Sequence, residues 1–203
     1  MEFHFDNRIV RVLGQAAALV KLNILWIVFS LPLVTGGAAL CALHITAVKI
    51  LKNEEGYVFC EFWSVYKGKM KVSLKLWVPL LFAAFLILFD YMFWRDMDGD
   101  FAAMMRIFIC VAMGGWFALV SYIFPLAARM DVGAGETYRN GLLLMFKYLP
   151  QTLYLLFTTA LFLAAGLLFT PVFGIALLAG GALLAAAHGK LLLWVFEKEG
   201  IVE

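Results

Sequence analysis

YLPQTLYLLFTTALFLAAGLLFTPVFGIALLAGGALLAAA, residues 148–187, runs forty positions without an Asp, Glu, Lys or Arg. A second uncharged run, Ile107 to Ala128, covers twenty-two. A soluble domain of 203 residues has too much surface for its size to hide such stretches. A membrane-spanning helix, by contrast, needs about 20 mostly apolar residues. Composition agrees: the chain is 65% hydrophobic and 15% charged, against about 45–50% and about 25% in ordinary globular domains. The fold class read from this is all-α: a polytopic transmembrane helix bundle forming a single membrane domain, 1–203.

Apolar runs and breakers divide the chain. Residues 1–21 read as an interfacial amphipathic helix, with Ile9, Leu13 and Ala16 on one face and Asp6 as its N-cap. Residues 22–52 read as a helical hairpin, interrupted at Pro32 and at Thr35-Gly36-Gly37. Residues 53–75 form a polar, amphipathic loop in which Phe59, Phe62, Trp63 and Tyr66 recur at helical spacing, followed by Lys67, Lys69 and Lys71. That pattern suits a headgroup region rich in anionic lipid, or a partner's surface. Transmembrane helices are expected at 76–94, 107–128, 148–170 and 172–193, with a short acidic loop from Arg95 to Arg106, a polar loop from Arg129 to Lys147 and a turn at Thr170-Pro171. No cleavable signal is expected.

Basic residues orient the chain, since short cytoplasmic loops collect Lys and Arg. The 49–75 region holds six lysines and the 129–147 loop three basic residues, whereas 90–106 has two basic and four acidic. Arg8, Arg11 and Lys21 precede the first apolar block. Six spans with both termini cytoplasmic, in the plasma membrane, satisfy every segment. Five is the alternative, in which residues 22–52 cross once.

Polar residues within the apolar blocks are the remaining candidates, because burying an ionisable group in lipid is costly. Asn23, His44 and Asp90 are the candidate intramembrane polar residues. Asp90 lies four residues before Trp94, which suits the outer interface. His44 has no second ligand at helical spacing and suits an interhelical hydrogen bond better than zinc. His188, near Lys190, is expected to be wet. Asp96, Asp98 and Asp100 open like a calcium loop, but Phe101 and Ile107 stand where such a loop needs Gly and Glu. Cys41, Cys60 and Cys110 are odd in number, lack CxxC spacing, and read as reduced. Gly36-Gly37, Gly114-Gly115 and Gly180-Gly181 allow close helix contact, within the chain or between copies. No catalytic motif, metal or cofactor site is evident, and the basic residues sit where a membrane surface, not nucleic acid, explains them.

The segment from Leu22 to Trp77 carries a more specific signal in Leu22-Asn23-Ile24-Leu25-Trp26, Leu31-Pro32, Val34-Thr35-Gly36, Glu54-Glu55-Gly56-Tyr57 and Phe62-Trp63. In these it resembles the YesL-like family of small bacterial integral membrane proteins, a domain of unknown function. The resemblance implies a Gram-positive setting beside carbohydrate ABC importers, and thus an accessory role with sugar ABC transporter subunits as partners. It supplies no catalytic residue. The expected function is a non-catalytic accessory or interaction subunit embedded in the lipid bilayer. The alternative is a self-contained small-solute transporter or channel acting as a homo-oligomer, and an enzyme ranks below both.

Overall fold

The computed structural model describes residues 7–54, 56–130, 132–168 and 180–200. Among the described residues there are seven α-helices, one 3-10 turn and no strand. The helices are α1 (Asn7–Ser30), α2 (Gly36–Lys52), α3 (Val58–Arg95), α4 (Asp100–Arg129), α5 (Ala134–Lys147), α6 (Leu149–Leu168) and α7 (Gly181–Lys198). Asp6 and the turn expected at Thr170-Pro171 lie outside the described residues.

No break separates an interfacial helix from a first hairpin arm at residue 21. α1 is continuous from Asn7 to Ser30, because nothing between Lys21 and Ile24 disfavours helix. It stops at Pro32, which pushes the preceding residue out of helical geometry. Leu33–Thr35 then form the 3-10 turn, and α2 returns antiparallel to α1. Ala38, Ala39, Ala42 and Ala47 on α2 are all buried, and small side chains of this kind let helices approach closely. Asn53 ends α2 in the left-handed conformation, with φ 55° and its N–H on the Ile50 carbonyl at 3.1 Å, a conformation Asn tolerates.

The expected loop at 53–75 and span at 76–94 are one helix, the 38-residue α3. The change from charged to apolar at Leu76 alters what the helix faces, not whether it forms, since Lys, Leu and Met are all good helix formers. Pro79 lies inside it and removes one backbone bond without ending the helix. α2 runs alongside the first half of α3, as three contacts along its length show. Lys49 pairs with Glu61, Cys41 Sγ lies 3.3 Å from Ser73 Oγ, and the Trp77 ring covers Gly36 and Gly37. The 22–52 hairpin and the lysine-bearing half of α3 therefore occupy one layer.

Beyond Trp77, α3 and α4 continue as an antiparallel two-helix arm. Trp116 Nε1 donates to the Leu80 carbonyl at 2.8 Å, and Arg106 Nη1 donates to the Met97 carbonyl at 2.8 Å at the far end. The acidic loop is shorter than expected, because α4 begins at Asp100. Gly99, at φ 113°, makes the reversal, and Asp100 in the first turn suits the helix dipole. The 129–147 loop contains α5, whose Gly141 packs on Ile123 and whose Tyr138 hydroxyl donates to the Leu76 carbonyl.

Four segments are long and apolar enough to cross a membrane: Val10–Ser30, Leu33–Lys52, Val58–Arg95 and Asp100–Arg129. The fifth and sixth expected spans, 148–170 and 172–193, run into residues 169–179, which lie outside the described residues. Of their described parts, the apolar stretch of α6 is Leu149–Phe162, and α7, Gly181–Lys198, carries Lys190, Glu197 and Lys198.

Candidate functional site

Several polar groups inside the helix bundle are tied to other helices. Asn23 on α1 is buried, and its Oδ1 accepts the Ala182 backbone N–H at 3.1 Å. That N–H lies near the start of the described part of α7. Asn23 thus ties α1 to α7. The fit leaves no spare room, since a Cβ on Gly181 would fall 2.7 Å from Trp26 Cζ3 and 2.8 Å from Asn23 Oδ1. His188 is buried, not wet: its Nε2 lies 3.0 Å from Thr158 Oγ1. Proximity to Lys190 in sequence misleads here, because one residue along a helix turns the side chain by about 100°, and two residues put it on a different face.

His44 is partly buried on α2, and its Nδ1 is sealed from solvent without a hydrogen-bond partner. It faces a recess closed by Pro125, Arg129, Gly189 and Phe196, with a volume of ≈ 10 Å³. That is about the space one water needs. The Arg129 guanidinium sits 5.7 Å from the centre of the Phe196 ring, a cation–π distance. Asp90 is exposed on the arm, one turn from Trp94. No three His, Cys, Asp or Glu side chains gather in metal-binding proximity among the described residues. Cys41 is buried, Cys60 and Cys110 are exposed, and all three are free.

The aromatic face expected on α3 divides in two, which corrects part of the surface reading. Phe62 and Tyr66 are buried, packed on Phe29 of α1 at centroid distances of 5.6 and 5.0 Å. They are core residues, because positions 62 and 66 face the α1–α2 hairpin. Phe59 and Trp63 remain exposed and stack at 6.4 Å. Lys67 and Lys71 are exposed too, whereas Lys69 is half-buried. Phe59, Trp63, Lys67, Lys71 and Lys75 therefore form an outward stripe with four-residue spacing. The sequence signal for the split lies in the spacing: four-residue steps keep one lineage of side chains in view, and Phe62 and Tyr66 belong to the neighbouring one.

Sequence reasoning missed Trp77, which organises the turn between α1 and α2. Its Nε1 donates to the Leu33 carbonyl at 2.6 Å, and a Cβ on Gly37 would fall 2.7 Å from Trp77 Cβ. The available signal was the turn itself, whose carbonyls fall outside the helical pattern and need donors. A second missed group lies at the C-terminal end. Glu199 accepts hydrogen bonds from Lys147 Nζ at 2.8 Å and from the Tyr148 hydroxyl, and these donors hold its carboxyl below the usual carboxylate range.

Residues 19–91 match the model of a family described as "Protein of unknown function, DUF624". The matched stretch takes in the end of α1, all of α2 and nearly all of α3, and the YesL-like resemblance at 22–77 falls inside it. No curated protein and no solved structure matches the chain.

Proposed function

We propose that the chain is a non-catalytic integral membrane protein of the plasma membrane, with both termini cytoplasmic, acting as an accessory subunit to carbohydrate ABC import. One observation carries the interaction reading: the direction of its polar chemistry. Asn23, His188 and Cys41 turn inward onto other helices. The exposed stripe from Phe59 through Trp63 to Lys75 turns outward from the layer that α2 and α3 share. Exposed aromatics suit a partner's face, and the lysines beside them suit an anionic membrane surface. The importer partner itself comes from the YesL-like resemblance and the genes found beside that family.

The test is a mild-detergent pull-down of the tagged protein from its own host, followed by mass spectrometry and sizing. Co-purifying permease or ATPase subunits are expected. Recovery of the chain alone as a defined homo-oligomer would overturn the accessory role and favour the small-solute transporter or channel.

A further inference from the structure

We infer that the α1–α2 hairpin does not cross the bilayer: it approaches from the side of the lysines, its apolar tip Leu31–Val34 rests among acyl chains at the near boundary, and among the described residues the α3–α4 arm alone passes beyond it. This rests on the membrane reading of the proposed function and narrows its topology.

Length sets the first constraint. α3 has 38 residues, about 57 Å at about 1.5 Å per residue, while the hydrocarbon core is about 30 Å thick. Only about half of α3 fits. Residues 58–75 carry Glu61 and four lysines, whereas Leu76–Trp94 carries Asp90 as its one charged side chain. The second half is the part the bilayer accepts, since a charge at membrane depth costs several kcal/mol or more.

Tryptophans mark its two ends. Trp77 and Trp116 lie side by side at 6.2 Å, and Trp94 packs on Phe93 and Phe101 at 5.2 and 5.5 Å at the other end. Along α3 these levels are separated by about 26 Å at about 1.5 Å per residue. Tryptophan is enriched at both membrane–water interfaces, and this separation is close to the hydrocarbon thickness of about 30 Å. Between them the arm exposes large apolar side chains, among them Phe82, Phe85, Phe89, Ile107 and Val111. Two helices this apolar, covering only each other among the described residues, match lipid as their surroundings.

The hairpin tip sits at the level of the nearer girdle, because Leu33 accepts from Trp77. It does not approach Trp94. Its composition agrees: Leu31 and Leu33 are 74% and 73% exposed, and no charged residue occurs from Leu22 to Val48. Non-helical backbone at membrane depth needs its polar groups satisfied, and three bonds serve this turn. Thr35 N–H donates to the Pro32 carbonyl at 2.8 Å, Thr35 Oγ1 to the Phe29 carbonyl at 3.1 Å, and Trp77 supplies the third bond.

The test uses single cysteines in the full chain, in a background carrying Cys41→Ala, Cys60→Ser and Cys110→Ser, with a membrane-impermeant maleimide applied to intact cells and then to permeabilised cells. Asp98→Cys should label in intact cells. Leu33→Cys and Val34→Cys, two tip variants so that one misfolded protein does not decide the result, should not. After permeabilisation Lys67→Cys should label, and both tip cysteines should stay protected until detergent is added. Labelling of either tip cysteine in intact cells would overturn the inference, as would tip labelling at the Lys67→Cys rate after permeabilisation, or an Asp98→Cys that labels only once cells are opened. Retention in carbonate-washed membranes checks the membrane reading separately, and its loss would remove that reading itself.

Discussion

Trp77 of α3 donates its indole N–H to the carbonyl of Leu33, 44 residues earlier in the chain, at 2.6 Å. The same ring covers Gly36 and Gly37. One side chain thereby fixes the turn between α1 and α2 against the midpoint of the longest helix. Trp77→Phe keeps an aromatic ring and leaves the Leu33 carbonyl without that donor. An unsatisfied group of this kind costs about 1–3 kcal/mol. Thermal unfolding in detergent should show that loss, and Trp77→Ala should lose more, because the cover over the glycines goes as well.

Glycines of similar appearance should respond in opposite ways. A Cβ on Gly37 would meet Trp77 Cβ at 2.7 Å and Phe124 Cε1 at 2.8 Å, whereas nothing lies within 4 Å of a Cβ on Gly114. Gly37→Ala should destabilise by about 1–3 kcal/mol, the usual cost of overpacking. Gly114→Ala should be neutral or gain up to about 1 kcal/mol from helix propensity. The two variants measured side by side in one detergent check this, and equal effects would contradict the packing described.

Asn23 carries a structural role that its position in an apolar run conceals. Asn23→Leu removes the acceptor for the Ala182 N–H and should cost about 1–3 kcal/mol. Hydrogen exchange should localise the effect, with amides near the start of the described part of α7 exchanging faster while those of the α3–α4 arm are unchanged.

The C-terminal contact should respond to acid. Glu199 has its carboxyl held down chiefly by the hydrogen bond from Lys147, then by that from Tyr148. A carboxyl with a depressed value in the folded state stabilises above its unfolded value and loses that stabilisation as pH falls. The Glu199 contribution is therefore full above about pH 4.5, the ordinary value, and declines below it. Wild type should exceed Glu199→Gln in protection of the C-terminal helix end at pH 7, and the difference should shrink on acidification. A difference that grows in acid would contradict the assignment.

The helical class was legible because long uncharged runs leave few alternatives, and the reversal at Pro32–Gly37 was legible because Pro and Gly interrupt it. Boundaries set by charge were less secure. Leu76 divides a polar from an apolar stretch but sits in mid-helix, since lysine and leucine both favour helix. Depth was illegible for a related reason. Whether residues 22–52 lie above or beside residues 53–75 depends on which helix α2 packs against, and the Lys49–Glu61 and Cys41–Ser73 contacts decide that. Of the surface residues read from sequence, Phe59, Trp63, Lys67 and Lys71 face outward, while Phe62 and Tyr66 face Phe29. Periodicity places residues on a helix, and only the neighbouring helix determines which of its faces is covered.

The interaction role turns on what touches the outward stripe of α3 in the native membrane. A photo-crosslinking residue placed at Trp63 or at Lys71, in the full chain and in its own host, reads this directly, with Val111 on the arm as the lipid-facing reference. An accessory subunit predicts a covalent adduct with another membrane protein from Trp63 and Lys71, and lipid adducts alone from Val111. Lipid or self-adducts alone at all three positions would contradict it.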